Sequence, residues 1–394
     1  MNPDFENKNK NENINHKKQK FHKISGLFFA LFILIIGTVS FVTEDTHFSE
    51  NENRVLAQTP RLDFDNILSG RFSKKFEKYS TDQMPWRTLW VEMKSRSDLM
   101  LGKREINEVF RGSEGFLFEK PVTPDSLSID EKTLAINAFA SRYKTIKTYF
   151  VLVPNASDIL IQHLPENAPF INQKDYIDSF YSALNNSVSK INAHEALSET
   201  SDSTMFYRTD HHWTTDGAYS VFKKLAQAMN LDTSDEDYKK LCVSHDFYGT
   251  LASKTGYYKD YGDTITVYVP NSQDNQYVVN YVEEKSKSPS LYDTSKLDTK
   301  NKYEIFMRGN HPLVKIRTTA KNERSLLIIK DSYANCFIPF LTAHFSRITV
   351  VDPRYYYEDI YELIETEQVS HMLYLYNANT FFGDKFLESV LNNE

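Results

Sequence analysis

Three short apolar runs near the C-terminus, LLII (326–329), ITVV (348–351) and MLYLY (372–376), constrain this chain most. A strand without polar alternation is buried on both faces, and successive strands of that kind joined by helices pair in parallel. Right-handed crossovers then leave one economical arrangement, an α/β layer with helices flanking a parallel sheet. YEDIYELI (357–364) reads as one connecting helix. Ala334, Phe337, Ile338, Leu341 and Phe345 mark an apolar helical face for the other, with Pro339 expected to kink or restart it.

The same grammar occurs earlier. FVLVP (150–154) is an apolar strand ended by proline, DYIDSFYSAL (175–184) a helix, and SKIN leads to another short strand. Residues 70–100 and 129–143 read as helix, and NEVFRGSEGFLFEK (107–120) as a strand pair turning at Gly112 to Gly115. Between the two α/β runs, TITVYVP and QYVVNYV (264–282) and then KYEIFM and LVKIRT (302–318) alternate like antiparallel hairpins. They predict a β-rich insertion or cap at about 245–320 within one domain.

The N-terminus carries an address. Residues 1–15 are rich in Asn, Lys and Glu and offer little to bury, which predicts disorder. HKKQKFHK (16–23) is basic and precedes ISGLFFALFILIIGTVSFV (24–42), an uncharged run of bilayer-spanning length followed by Glu44 and Asp45. Positive charge before the run predicts a cytoplasmic tail over 1–23, a transmembrane anchor over 24–42 and an extracytoplasmic body over 44–394. A cleaved signal peptide is the competing reading, and no A-x-A-like site follows the apolar core.

Composition narrows the function. A net charge of -7 argues against a nucleic-acid partner, and 40% hydrophobic residues suffice for a substantial core. Cys242 and Cys336 show no zinc-type spacing with other ligands and read as packed thiols, so neither a structural metal nor a cofactor is expected.

Loops at the carboxyl ends of the strands are where an open α/β sheet holds its chemistry. LLIIKDSYAN places Asp331 and Ser332 there, where a hydroxyl stands above the sheet and the first free N–H groups of a helix can stabilise an oxyanion. Both residue types also cap helices, the structural alternative. YRTDHHWTTDGAY (207–219) puts Asp210, His211, His212 and Trp213 in the turn feeding a helix that begins near Thr215 or Asp216. Asp210 and His212, two apart, can lie on one side of an extended turn, so the carboxylate would orient a general-base imidazole. His211 would then point elsewhere, into packing with Trp213. A metal site is the other reading, although adjacent side chains diverge and no third ligand has a recognisable spacing.

Asp210-His211-His212-Trp213, followed by Asp216-Gly217-Ala218, resembles the signature of the bacterial DHHW family. It is also similar to the Asp-x-His-Trp block of alginate O-acetyltransferases and of other SGNH, or GDSL-like, hydrolases. ENRVLAQTP, KYSTDQMPWR, RGSEGFLFEK and VLVP resemble the segments that precede this block, so the likeness covers roughly residues 50–380. It implies an SGNH-like fold with Ser332 as nucleophile, His212 as base and Asp210 as orienting carboxylate. The superfamily's later blocks would fall at the next strand ends, making Asn377 a candidate oxyanion donor and Arg354 a weaker one, with His211 and Trp213 as substrate-binding candidates. Lys330 departs from the usual Gly-Asp-Ser and would alter the oxyanion pocket.

The expected activity is acyl transfer by a membrane-anchored enzyme acting on a cell-wall or exported polysaccharide, with a membrane-bound acyl donor as a candidate partner. Water as acceptor would make it an esterase, and a sugar hydroxyl an O-acetyltransferase. A non-catalytic glycan- or partner-binding protein that keeps the fold is the alternative.

Overall fold

The computed structural model describes residues 3–199, 203–234, 237–256, 261–271 and 276–392. These form two compact units, Met1–Lys94 and Ser95–Glu394.

In the first unit, helix α1 spans Pro3–Val42. Its segment Lys17–Val42 is the one helix among the described residues that is long and apolar enough to cross a membrane. The polar tail expected to be disordered continues this helix back to Pro3. Beyond it, the helical stretch expected over 70–100 divides into Arg71–Asp82 and Arg87–Met100, with Pro85 between them. Asp82 accepts Arg54 Nη2 at 2.6 Å and the Ala57 N–H at 2.9 Å, and Glu52 accepts Arg87 Nε at 2.5 Å. These charge-assisted bonds tie ENRVL to the end of KYSTDQMPWR.

The second unit is built on an eight-stranded sheet. Its strands are β1 (Lys147–Val153), β2 (Val188–Ile191), β3 (Tyr277–Tyr281), β4 (Ser286–Ser288), β5 (Leu313–Thr318), β6 (Ser325–Lys330), β7 (Arg347–Val351) and β8 (His371–Asn377). Their order is β4-β3-β5-β7-β6-β8-β1-β2. The five from β7 to β2 are parallel, whereas β5, β3 and β4 extend the sheet antiparallel.

Side chains alternate between two cores. Tyr149, Val151, Leu326, Ile328, Leu373 and Leu375 enter one, with Val221, Phe222 and Leu225 of helix α4 (Thr215–Met229). Phe150, Leu152, Leu327, Ile329, Met372 and Tyr374 enter the other, with helices α2 (Ser126–Arg142), α3 (Gln173–Ala183) and α5 (Ile360–Thr366). Coverage of both faces is the reason these strands are apolar throughout.

Two expectations need correction. The segment after β6 forms two 3₁₀ turns, Ser332–Cys336 and Ile338–Leu341, with Pro339 in the first turn of the second. Its five apolar residues are all buried, but a spacing of three or four fits a 3₁₀ turn as well as an α-helix. The β-rich region is antiparallel as expected, but TITVYVP and QYVVNYV do not form a hairpin with each other. Its strands β3, β4 and β5 belong to the main sheet, while Tyr238–Phe247 pairs with Asp263–Pro270 as a separate antiparallel ribbon. KYEIFM is no strand; Lys302–Ile305 is a 3₁₀ turn.

Candidate active site

Strand β6 lies inside the parallel part between β7 and β8, and the chain leaves it for β7 on one side and returns to β8 on the other. Its carboxyl end is therefore the switch point, where a crevice opens. Asp331 caps the turn there: one carboxylate oxygen accepts the Tyr333 N–H at 2.9 Å and the other the Asn377 N–H at 2.9 Å. Capping is thus done by Asp331, and the Ser332 hydroxyl is left for another partner.

That partner is His212. Its Nε2 lies 2.8 Å from Ser332 Oγ, and its Nδ1 lies 2.5 Å from Asp210 Oδ1. A carboxylate cannot donate, so the imidazole proton sits on Nδ1 and Nε2 is free to accept from the serine. Asp210 is itself held, with Oδ1 accepting the His212 N–H at 3.0 Å and Oδ2 the Thr250 N–H at 2.7 Å. Burial alone would raise its pKa, but electrostatic attraction to the His211 and His212 imidazoles and these hydrogen bonds hold the carboxyl well below the usual range. The ring of His212 stacks on Tyr303, centroids 3.8 Å apart and 12° from parallel, and Tyr303 Oη donates to the Ser332 carbonyl at 3.1 Å.

The neighbouring candidates take different places. Trp213 is fully buried; its Nε1 donates to the Tyr333 carbonyl at 2.9 Å and its ring stacks on Phe337. It fastens the histidine turn to the serine turn. His211 packs on His212, ring centroids 3.9 Å apart, instead of on Trp213, and stays partly exposed. Tyr333 Oη donates to the His211 carbonyl. Adjacent histidines do not diverge here: ligand-type atoms of Asp210, His211 and His212 lie within 4.8 Å of one another. A resident metal nevertheless fits poorly, because both ring nitrogens of His212 and both oxygens of Asp210 already have hydrogen-bond partners.

Asn377 ends β8 and caps the following helix. Its Oδ1 accepts the N–H groups of Asn379 at 3.0 Å and Thr380 at 3.3 Å, and Asn155 Nδ2 at 3.2 Å. Three donors fix which end of the amide is oxygen. Its Nδ2 is buried without a hydrogen-bond partner among the described residues. Arg354 instead grips Asp352 through Nε at 2.8 Å and Nη2 at 2.6 Å. Lys330 is buried and donates to Asn335 Oδ1 at 2.8 Å and Asn310 Oδ1 at 2.9 Å.

Sequence reading missed Tyr303, Gly249, Thr250, Asn155 and Glu119. Glu119 Oε1 accepts Asn155 Nδ2 at 2.7 Å, and burial raises its pKa. Tyr303 and Thr250 lie in segments with no local signature, so only the fold brings them to His212 and Asp210.

The chain matches the DHHW protein family model over residues 122–351, more than half of its length. Among solved structures it is similar to a DHHW family protein from Eubacterium siraeum, with 25% identity and a TM-score of 0.61 over 74% of this chain and 96% of that one. It is similar also to Bacillus cereus PatB1 with a sulfonyl adduct, with 22% identity and a TM-score of 0.60 over 71% and 99%. No curated protein sequence matches it. The likenesses show an SGNH-like α/β fold. Asp210, His211, His212, Trp213 and Ser332 all fall within the matched span, and the chain belongs to the DHHW protein family.

Proposed function

We propose that this protein is an acyl-transfer enzyme with Ser332 as nucleophile, His212 as general base and Asp210 as the carboxylate that orients it. One observation carries the reading: the hydrogen-bond line from Asp210 through both nitrogens of His212 to Ser332 Oγ. As Ser332 Oγ attacks an ester carbonyl, His212 Nε2 takes its proton. The tetrahedral oxyanion meets the Ser332 N–H, which as the first of its turn has no intrahelical acceptor, and Asn377 Nδ2. Collapse breaks the ester bond, and the leaving alcohol takes the proton from Nε2. Water or a sugar hydroxyl then gives a proton to His212, attacks the acyl-serine, and leaves as acid or new ester while Ser332 recovers its proton.

An outward-facing body behind a single membrane anchor would meet cell-wall or exported polysaccharide, and a membrane-bound acyl donor would supply a transferase. The basic flank of α1 and the acidic residues after it support that orientation. The test is release of acetate from an acetylated aryl ester and acetylated glycans. Activity abolished in Ser332→Ala with the fold retained is the expected outcome. Equal activity in both proteins removes Ser332 from the mechanism, and activity in neither favours the binding module.

A further inference from the structure

We propose that the loop after β7 carries a sugar-binding edge, made by the rings of Tyr355 and Tyr357 with the Arg354 guanidinium, that receives the polysaccharide beside Ser332. This rests on the acyl-transfer reading and names where its carbohydrate lies.

Tyr355 and Tyr357 are 46% and 79% exposed, whereas Tyr356 between them is buried in the core beside Ile360. The alternation turns both outer rings to solvent. Exposed aromatic rings on a loose loop would mean little, but this loop is braced. The backbone N–H groups of Tyr355 and Tyr356 both donate to the Asp352 carbonyl at 3.1 Å. The Asp352 side chain, fully buried, holds Arg354 by two nitrogens. Arg354 in turn places its guanidinium carbon 5.4 Å from the Tyr355 ring centroid, and Tyr357 Oη donates to the Arg354 carbonyl at 3.3 Å. Both rings are thus held in place while Tyr355 stays nearly half exposed and Tyr357 mostly so, an arrangement that serves contact with something outside the chain.

The loop that carries the edge leaves the sheet beside the serine turn. Strands β6 and β7 are hydrogen-bonded neighbours with Ile329 opposite Val351, so their carboxyl ends emerge side by side. Lys330 Nζ joins the two loops, reaching Asn335 Oδ1 in the serine turn at 2.8 Å and Asp352 Oδ2 at 3.4 Å. A pyranose ring offers an apolar C–H face and a rim of hydroxyls. Tyrosine faces match the first, and phenol and guanidinium donors match the second. A folded protein partner would need a broader apolar core than two rings separated by a cation.

The experiment uses the full chain in detergent micelles with Tyr355→Ala, Tyr357→Ala and the double variant, each also as the Tyr→Phe change. Turnover is compared on acetylated xylan, an acetylated chitooligosaccharide and a small aryl acetate, which carries no sugar to lay on the edge. For the preferred glycan, the ratio of its kcat/KM to that of the aryl ester should fall about tenfold in the alanine variants, mainly through KM. Phenylalanine should restore most of it. An unchanged ratio overturns the proposal. If wild type turns over no ester, the acyl-transfer reading fails separately, and calorimetric binding of unacetylated xylopentaose and chitopentaose decides the edge. Binding lost in the double variant supports it; binding unchanged there, or absent for both sugars in wild type, overturns it.

Discussion

Gly249→Ala separates a positioned Asp210 from one that is merely nearby. The φ of Gly249 is −76°, open to any residue, so only space excludes a side chain there. A Cβ at this position would lie 2.3 Å from Asp210 Cβ, 2.4 Å from its Oδ2 and 2.7 Å from its Cγ. Carbon atoms settle at about 3.5–4.0 Å, so Asp210 or the loop must move by about 1 Å. A shift of that size stretches the 2.5 Å bond to His212 Nδ1 and the 2.7 Å bond from Thr250 to about the limit of a hydrogen bond. Overpacking costs about 1–3 kcal/mol of stability, and a misplacement of about 1 Å costs on the order of 100-fold in rate. Hydrolysis of a small aryl acetate, read beside a thermal melt, should show kcat falling by about 100-fold or more with a modest loss of stability. A variant that melts earlier but keeps kcat within about threefold would refute a catalytic need for this placement of Asp210.

His212→Ala should lose activity by orders of magnitude, while His211→Ala should behave as a packing or substrate-positioning change. Comparable losses together with inactivation by a chelator, reversed by zinc or manganese, would instead make Asp210, His211 and His212 metal ligands. Burial raises the Asp384 carboxyl to about 6, against the attraction of Lys132, so its ionisation costs the fold stability above that pH and nothing below the usual carboxylate range. Asp384→Asn should therefore raise stability by up to about 3 kcal/mol at pH 8, with the gain gone near pH 4; denaturant melts at the two pH values that show equal shifts would remove this assignment. In intact cells lacking an outer barrier, external protease should digest the body and spare residues 1–20, and protection of the whole chain would reverse the orientation.

The parallel strands were legible because burial on both faces leaves them no polar positions, as LLII and MLYLY show. The serine turn was legible in place but not in form. Ala334 to Phe345 bury the face that the spacing implies, yet Asp331 capping and Pro339 divide the stretch into 3₁₀ turns. Alternation in 264–318 announced antiparallel strands without naming their neighbours, since pairing β5 with β7 depends on distant sequence. The site was half visible. Asp210 and His212 sit two apart in one short motif, but Gly249, Thr250 and Tyr303 reach them only through loops that follow other elements. Asn377 was visible as a turn residue, and its free Nδ2 becomes apparent only when three donors are counted on its oxygen.

The most direct test of the central claim is covalent labelling of the full chain with an activated acetyl ester or an aryl sulfonyl fluoride, followed by peptide mass spectrometry. The account predicts one acyl or sulfonyl group on the peptide containing Ser332, no such label in Ser332→Ala, and greatly slowed labelling in His212→Ala at unchanged fold. Labelling that persists in Ser332→Ala, or that proceeds at the wild-type rate in His212→Ala, would contradict it.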